Sequence, residues 1–116
     1  MNVFVVHSRA CPHCVRLLRR FEEENTERLL HEQVPDASVT YLEVSDPRRQ
    51  TQAALTRLPP FATVPQIYVV SGGTTLALRE DERSAPRLIA AVRRVAAQRR
   101  RLLRLRPKAP SKSSSS

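Results

Sequence analysis

The sequence predicts a single α/β domain with elements in the order β-α-β-α-β-β-α, followed by a basic tail. Three observations carry this. Short β-branched and aromatic runs recur at residues 3–6, 38–44 and 65–70. Amphipathic stretches with helical spacing separate them. A Gly72-Gly73 pair sits between two β-rich segments. A chain of 116 residues is the size of one ordinary domain and can bury a core without covalent staples.

Val3 to Val6 suits a buried first strand. From Pro12 to about Gln33 apolar residues recur at Leu17, Leu18, Phe21, Leu29 and Leu30, a helical stripe with a gap near Glu24-Asn25. Pro12 fits the first helical turn, where a missing N–H costs nothing. Pro35-Asp36 breaks the chain, and SVTYLEV, 38–44, alternates as a second strand. Ser45-Asp46-Pro47 reads as a cap followed by a first-turn proline, opening a helix to about Leu58. Pro59-Pro60 ends it. PQIYVV, 65–70, is the third strand, Ser71-Gly72-Gly73 a tight turn, and TTLAL, 74–78, its antiparallel partner. Ser84 to Pro86 opens a last helix whose stripe is Leu88, Ile89, Val92, Val95 and Ala96.

The domain is expected to span 1–98 and the tail 99–116, where Arg99-Arg100-Arg101 interrupts the stripe and KAPSKSSSS, 108–116, reads as disordered. Charge divides the same way. Residues 1–82 carry nine Lys/Arg against eleven Asp/Glu, a balance of −2, whereas residues 83–116 carry eleven Lys/Arg and no acid, a balance of +11. The tail therefore has the composition to bind nucleic acid through phosphates, to touch acidic partners, to act as a nuclear address, or simply to stay solvated. No aromatic residue lies in it to stack on bases. No 18-residue apolar run exists, so no membrane span is expected. The four apolar residues of MNVFVVHS are too few for a signal-peptide core. The expected setting is a reducing compartment, the cytoplasm, or the nucleus by way of the tail.

In such a compartment a close cysteine pair points to catalysis or metal binding more than to structure. Cys11-Pro12-His13-Cys14 holds both cysteines, between a strand and a helix. There Cys11 would stand at the start of the first helix, where unpaired N–H groups and the dipole favour its thiolate. Cys14, one turn further in, would attack a mixed disulfide formed on Cys11. Arg9 and Arg16 flank the pair, and His13 could add positive charge beside the thiolate. Two other readings stand beside this one. Zinc would need His7 and His13 to join the two thiols, four ligands within eight residues, with no second CxxC to help. The thiols could also be two packed core residues. No metal is assigned.

The CPHC turn, the strand order and the Thr63-Val64-Pro65 segment before the third strand resemble the glutaredoxin family, of the thioredoxin-like superfamily, over about residues 2–96. The resemblance implies a central mixed four-stranded sheet flanked by helices and thiol–disulfide oxidoreductase activity. It also implies a cis peptide before Pro65, and a Val64 backbone that pairs with glutathione or a substrate strand. Glutathione is then a co-substrate, with no tightly bound cofactor. The partner is a disulfide-containing protein or a glutathione mixed disulfide, and the protein is a monomer. The chain departs from the family at three places. Ser8 stands where a lysine is common, and His13 where a tyrosine is. Leu78-Arg79-Glu80-Asp81-Glu82 follows the fourth strand without the family's Gly-Gly pair. Asp81 or Glu82 is the acid expected to meet the glutathione amine. The CPHC quartet itself resembles that of periplasmic disulfide oxidases, which are exported and carry a helical insertion. Two rivals follow: a glutathione-independent dithiol oxidoreductase serving one protein partner, and a nucleic-acid-associated adaptor built on the same domain.

Overall fold

The computed structural model describes residues 1–105; the Ser-rich end expected to be disordered lies outside the described residues. Strands β1 (Asn2–His7), β2 (Ser38–Glu43), β3 (Gln66–Ser71) and β4 (Thr74–Ala77) form one mixed sheet in the order β2-β1-β3-β4. β1 runs parallel to β2 and antiparallel to β3, and β3 is antiparallel to β4. Four helices accompany it: α1 (Pro12–Glu23), α2 (Thr26–Gln33), α3 (Arg49–Arg57) and α4 (Ala85–Leu105). A short 3-10 turn, Glu80–Glu82, precedes α4. This arrangement is compatible with a thioredoxin-like fold.

The period-2 alternation of the central strands builds two cores, one on each face of the sheet. Val3 and Val5 of β1 with Ile67 and Val69 of β3 pack under α1, α2 and α4, against Leu17, Phe21, Leu30, Leu88 and Val92. The residues between them point the other way. Phe4, Val6 and Tyr68 meet Leu42, Leu55 and Leu58 beneath α3. Because both faces are covered, β1 and β3 read as continuous apolar runs. Deleting most of a fully buried side chain such as Ile67 or Leu88 by substitution with alanine costs about 2–5 kcal/mol in general.

Three boundaries differ from the sequence reading, each for a local reason. The first long helix is two. Asn25 takes a left-handed conformation, φ 52°, which ends one helix and starts the next. Glu24 then reaches across, its carboxylate accepting from the Ala85 N–H at 3.0 Å and from Arg20 at 3.0 Å, so the break is tied to the start of α4. The third helix opens at Arg49 and not at Ser45-Asp46-Pro47. Ser45 is captured by Glu43, and Asp46 braces the approach to the helix, accepting from the Arg48 N–H at 3.0 Å and the Thr51 hydroxyl at 3.0 Å. Finally, α4 continues to Leu105, seven residues beyond the expected domain end at 98. Its last buried residue is Val95, so this final stretch extends past the core as helix.

Candidate active site

β1 ends at His7, and the chain turns through Ser8-Arg9-Ala10 into α1. Cys11 is the N-cap residue of α1, with Pro12 in its first turn. The Cys11 N–H donates to the Ser8 carbonyl at 3.2 Å, and the Val15 N–H to the Cys11 carbonyl at 3.1 Å. The Cys11 sulfur is thereby left at the open end of the helix, partly exposed. Its thiol is pushed below the ordinary value. The Cys14 backbone N–H is the largest cause, followed by the Cys14 thiol, the His13 N–H and the Arg16 charge, while burial opposes them. Cys14 is fully buried and is pushed the opposite way, chiefly by that burial, although the Ser8 N–H donates to its sulfur at 3.4 Å. The two thiols are free, adjacent and unequal.

A second segment closes on them. The Val64–Pro65 peptide is cis, and the Val64 carbonyl accepts from the Cys11 thiol at 3.8 Å. Gln66 braces this segment, its amide donating to the Thr63 carbonyl at 3.0 Å and to the Thr63 hydroxyl at 3.3 Å. Beyond Val64 lies an open groove of about 940 Å³ between α1, the 63–66 segment and the residues after β4. Such a volume is at the upper end of ordinary ligand sites.

The structure thus brings Cys11, Pro12, His13, Cys14, Thr63, Val64 and Pro65 to one end of the sheet. Three other expected residues stand elsewhere or act differently. Arg9 does not line the groove but a separate pocket with Glu43 and Asp46, and the cation acting on Cys11 is Arg16. Asp81 and Glu82 do not line the groove. Glu82 is held by the Arg79 N–H at 3.1 Å and by Arg94 at 3.1 Å, and Asp81 is an exposed partner of Arg79 at 3.5 Å. Arg79, Glu80 and Arg83 take their place on the groove wall. His13 accepts at Nδ1 from the Arg16 guanidinium at 2.6 Å, because arginine has donors only. The charge that acts on the Cys11 sulfur is that of Arg16. His7 is packed at the strand end, its ring edge toward Tyr41 with centroids 6.4 Å apart. Among the described residues no group of three or more His, Cys, Asp and Glu is placed to hold a metal.

Sequence reasoning passed over Glu43. It is a nearly buried carboxylate at the end of β2, accepting from the Arg9 N–H at 2.9 Å, the Ser45 N–H at 2.7 Å and the Ser45 hydroxyl. It fastens the loop that presents Cys11 to the neighbouring strand end. These bonds, led by the Ser45 hydroxyl, lower its pKa from 4.5 to about 2. A depressed carboxyl contributes stability that is complete above its unfolded value and is lost as pH falls through the folded one. Glu43's contribution is thus expected to fade between about pH 4.5 and pH 2. Glu43→Gln should lower the melting temperature by several degrees at pH 7 and by much less at pH 2, a difference that paired thermal melts measure.

No family model, curated protein or solved structure matches this chain.

Proposed function

We propose that this protein is a thiol–disulfide oxidoreductase of glutaredoxin type, with Cys11 as the attacking thiolate and Cys14 as the resolving one. The observation that carries this reading is the inequality of the two thiols. A half-open sulfur with lowered pKa at a helix start lies beside a buried sulfur with raised pKa. The exposed one is available as thiolate to attack a substrate disulfide, and the leaving sulfur departs as a thiolate that takes a proton from water. The buried one is kept as thiol until the mixed disulfide forms. It then loses its proton and displaces the second substrate sulfur, closing a Cys11–Cys14 disulfide. Two electrons pass to the substrate, and glutathione or another thiol restores the pair. The Thr63-Val64-Pro65 segment positions the substrate beside Cys11. Such chemistry suits a reducing compartment such as the cytoplasm. Among the described residues no helix is long and apolar enough to cross a membrane.

The reduced protein, mixed with a peptide containing one disulfide, should release two peptide thiols per molecule while losing both of its own. Thiol titration and intact-mass measurement read this directly. No release beyond the uncatalysed rate, or release with both protein thiols retained, would sink the proposal.

A second reading, the same chemistry on a protein disulfide without glutathione, is favoured by one observation. The acids expected to meet the glutathione amine are turned away or engaged, and arginines stand in the groove instead.

A further inference from the structure

The groove beside Cys11 is lined by four arginines, Arg16, Arg20, Arg79 and Arg83, against one acid, Glu80. Two of these cations are answered within the fold: Arg20 by Glu24 at 3.0 Å, and Arg79 by Asp81 at 3.5 Å and Glu82 at 3.7 Å. Arg16 forms no ion pair among the described residues; it donates to the His13 ring at 2.6 Å, and the charge it faces is that of Cys11 when ionised. Arg83 forms no ion pair among the described residues, and its Nε is buried without a hydrogen-bond partner. That Nε is closed to any arriving group, but the Arg83 side chain as a whole is half-buried on the groove wall and brings there a charge with no acid beside it among the described residues. Arg16 comes from α1 and Arg83 from the segment before α4, so two charges without an acidic partner among the described residues line one groove from different elements.

We propose that this groove receives an oxidised polypeptide whose reacting cysteine is flanked by aspartate or glutamate, with Arg16 and Arg83 taking its carboxylates. The inference rests on the thiol–disulfide exchange proposed above and specifies its substrate. A glutathione moiety brings an ammonium group as well as carboxylates, and Glu80 is the one acid among the groove residues to pair with it. An acidic polypeptide segment brings carboxylates alone. The reaction is balanced as before. The Cys11 thiolate displaces one substrate sulfur, Cys14 displaces the other, the substrate gains two electrons and two protons, and a small dithiol reductant regenerates the pair.

The test compares three peptides of equal length, each with one intramolecular disulfide, whose cysteines are flanked by Asp, Ser or Lys. A small dithiol is the final reductant. The expected order of kcat/KM is Asp over Ser over Lys, with Asp exceeding Lys by about tenfold or more at low salt, since a charged cleft raises the local concentration of its counter-ion. The ratio should shrink as salt screens the groove. It should act mainly through KM, because the carboxylates do not touch the reacting sulfurs. Arg83→Glu and Arg16→Glu, tested singly, should each collapse or invert the ratio. Equal rates for the three peptides overturn the proposal, as does a preference for Lys. So does a glutathionylated neutral peptide that outruns the Asp peptide. If none of the peptides is reduced, the exchange reading fails together with the substrate inference. If all are reduced alike, only the substrate inference fails.

Discussion

Cys11→Ser will abolish disulfide reduction, while Cys14→Ser will keep the first half of the reaction and stall there. The helix start favours the anion on Cys11, its N-cap residue, because the unpaired N–H groups of the first turn lie at that end and Arg16 adds charge. Serine at 11 keeps the shape and removes the nucleophile, since a hydroxyl is not ionised near neutral pH. Serine at 14 leaves the attack intact and removes the group that resolves its product. With a peptide disulfide, Cys14→Ser should therefore accumulate a one-to-one mixed disulfide on Cys11, seen as a mass increase equal to the peptide and reversed by a small thiol. The reduced protein should also be alkylated at Cys11 first at mildly acidic pH. Cys14 should follow only under alkaline or unfolding conditions, because it is buried and its thiol is pushed up. Peptide mapping after a brief alkylation decides the matter. Preferential labelling of Cys14 would reverse the two roles.

How far the site could be read in advance depended on the range of the interactions that build it. The Cys11–Cys14 arrangement is local: a strand end, four residues and a helix start lie in one stretch of chain. The places of the central strands along the chain were legible because β1 and β3 are buried on both faces and so are apolar throughout. Glu43 was not legible, since its partners are the N–H of Arg9, 34 residues away, and Ser45. Only the parallel pairing of β1 with β2 brings the carboxylate to the loop. The same capture removed Ser45 from the capping role that its sequence neighbours suggested. Arg79 and Arg83 were passed over for a similar reason. They follow β4 in sequence but face α1 in space, across a groove that exists only once the hairpin is folded. The break at Glu24-Asn25 showed as a gap in the stripe, but its left-handed turn and its tie to Ala85 did not.

The last helix teaches the opposite lesson and sets the second large prediction. Arg99-Arg100-Arg101 looked like the end of the domain because the apolar stripe is interrupted there. Arginine and leucine are good helix formers, however, and no proline interrupts the chain before Pro107, so the helix runs on to Leu105 without a core beneath it. Leu102, Leu103 and Leu105 are 54%, 52% and 72% exposed. The one hydrogen bond that this stretch makes to the body among the described residues is from Arg99 to the Ser71 hydroxyl, at 3.1 Å. Cutting the chain after Gln98 should therefore leave the melting temperature within a few degrees and peptide-disulfide reduction close to that of the full chain. It also removes seven positive charges: Arg99, Arg100, Arg101, Arg104, Arg106, Lys108 and Lys112. Any binding of the full chain to single- or double-stranded nucleic acid should be lost with them. In the full chain such binding should weaken steeply between low and physiological salt, because each neutralised phosphate releases a counter-ion. Thermal melts, the peptide assay and a salt series of fluorescence-anisotropy titrations on both forms separate the outcomes. Unfolding on truncation would mean that the exposed leucines stabilise the body after all. Nucleic-acid binding that survives truncation would move the interface to the groove arginines, and no binding by either form would leave the extension a solvated helix.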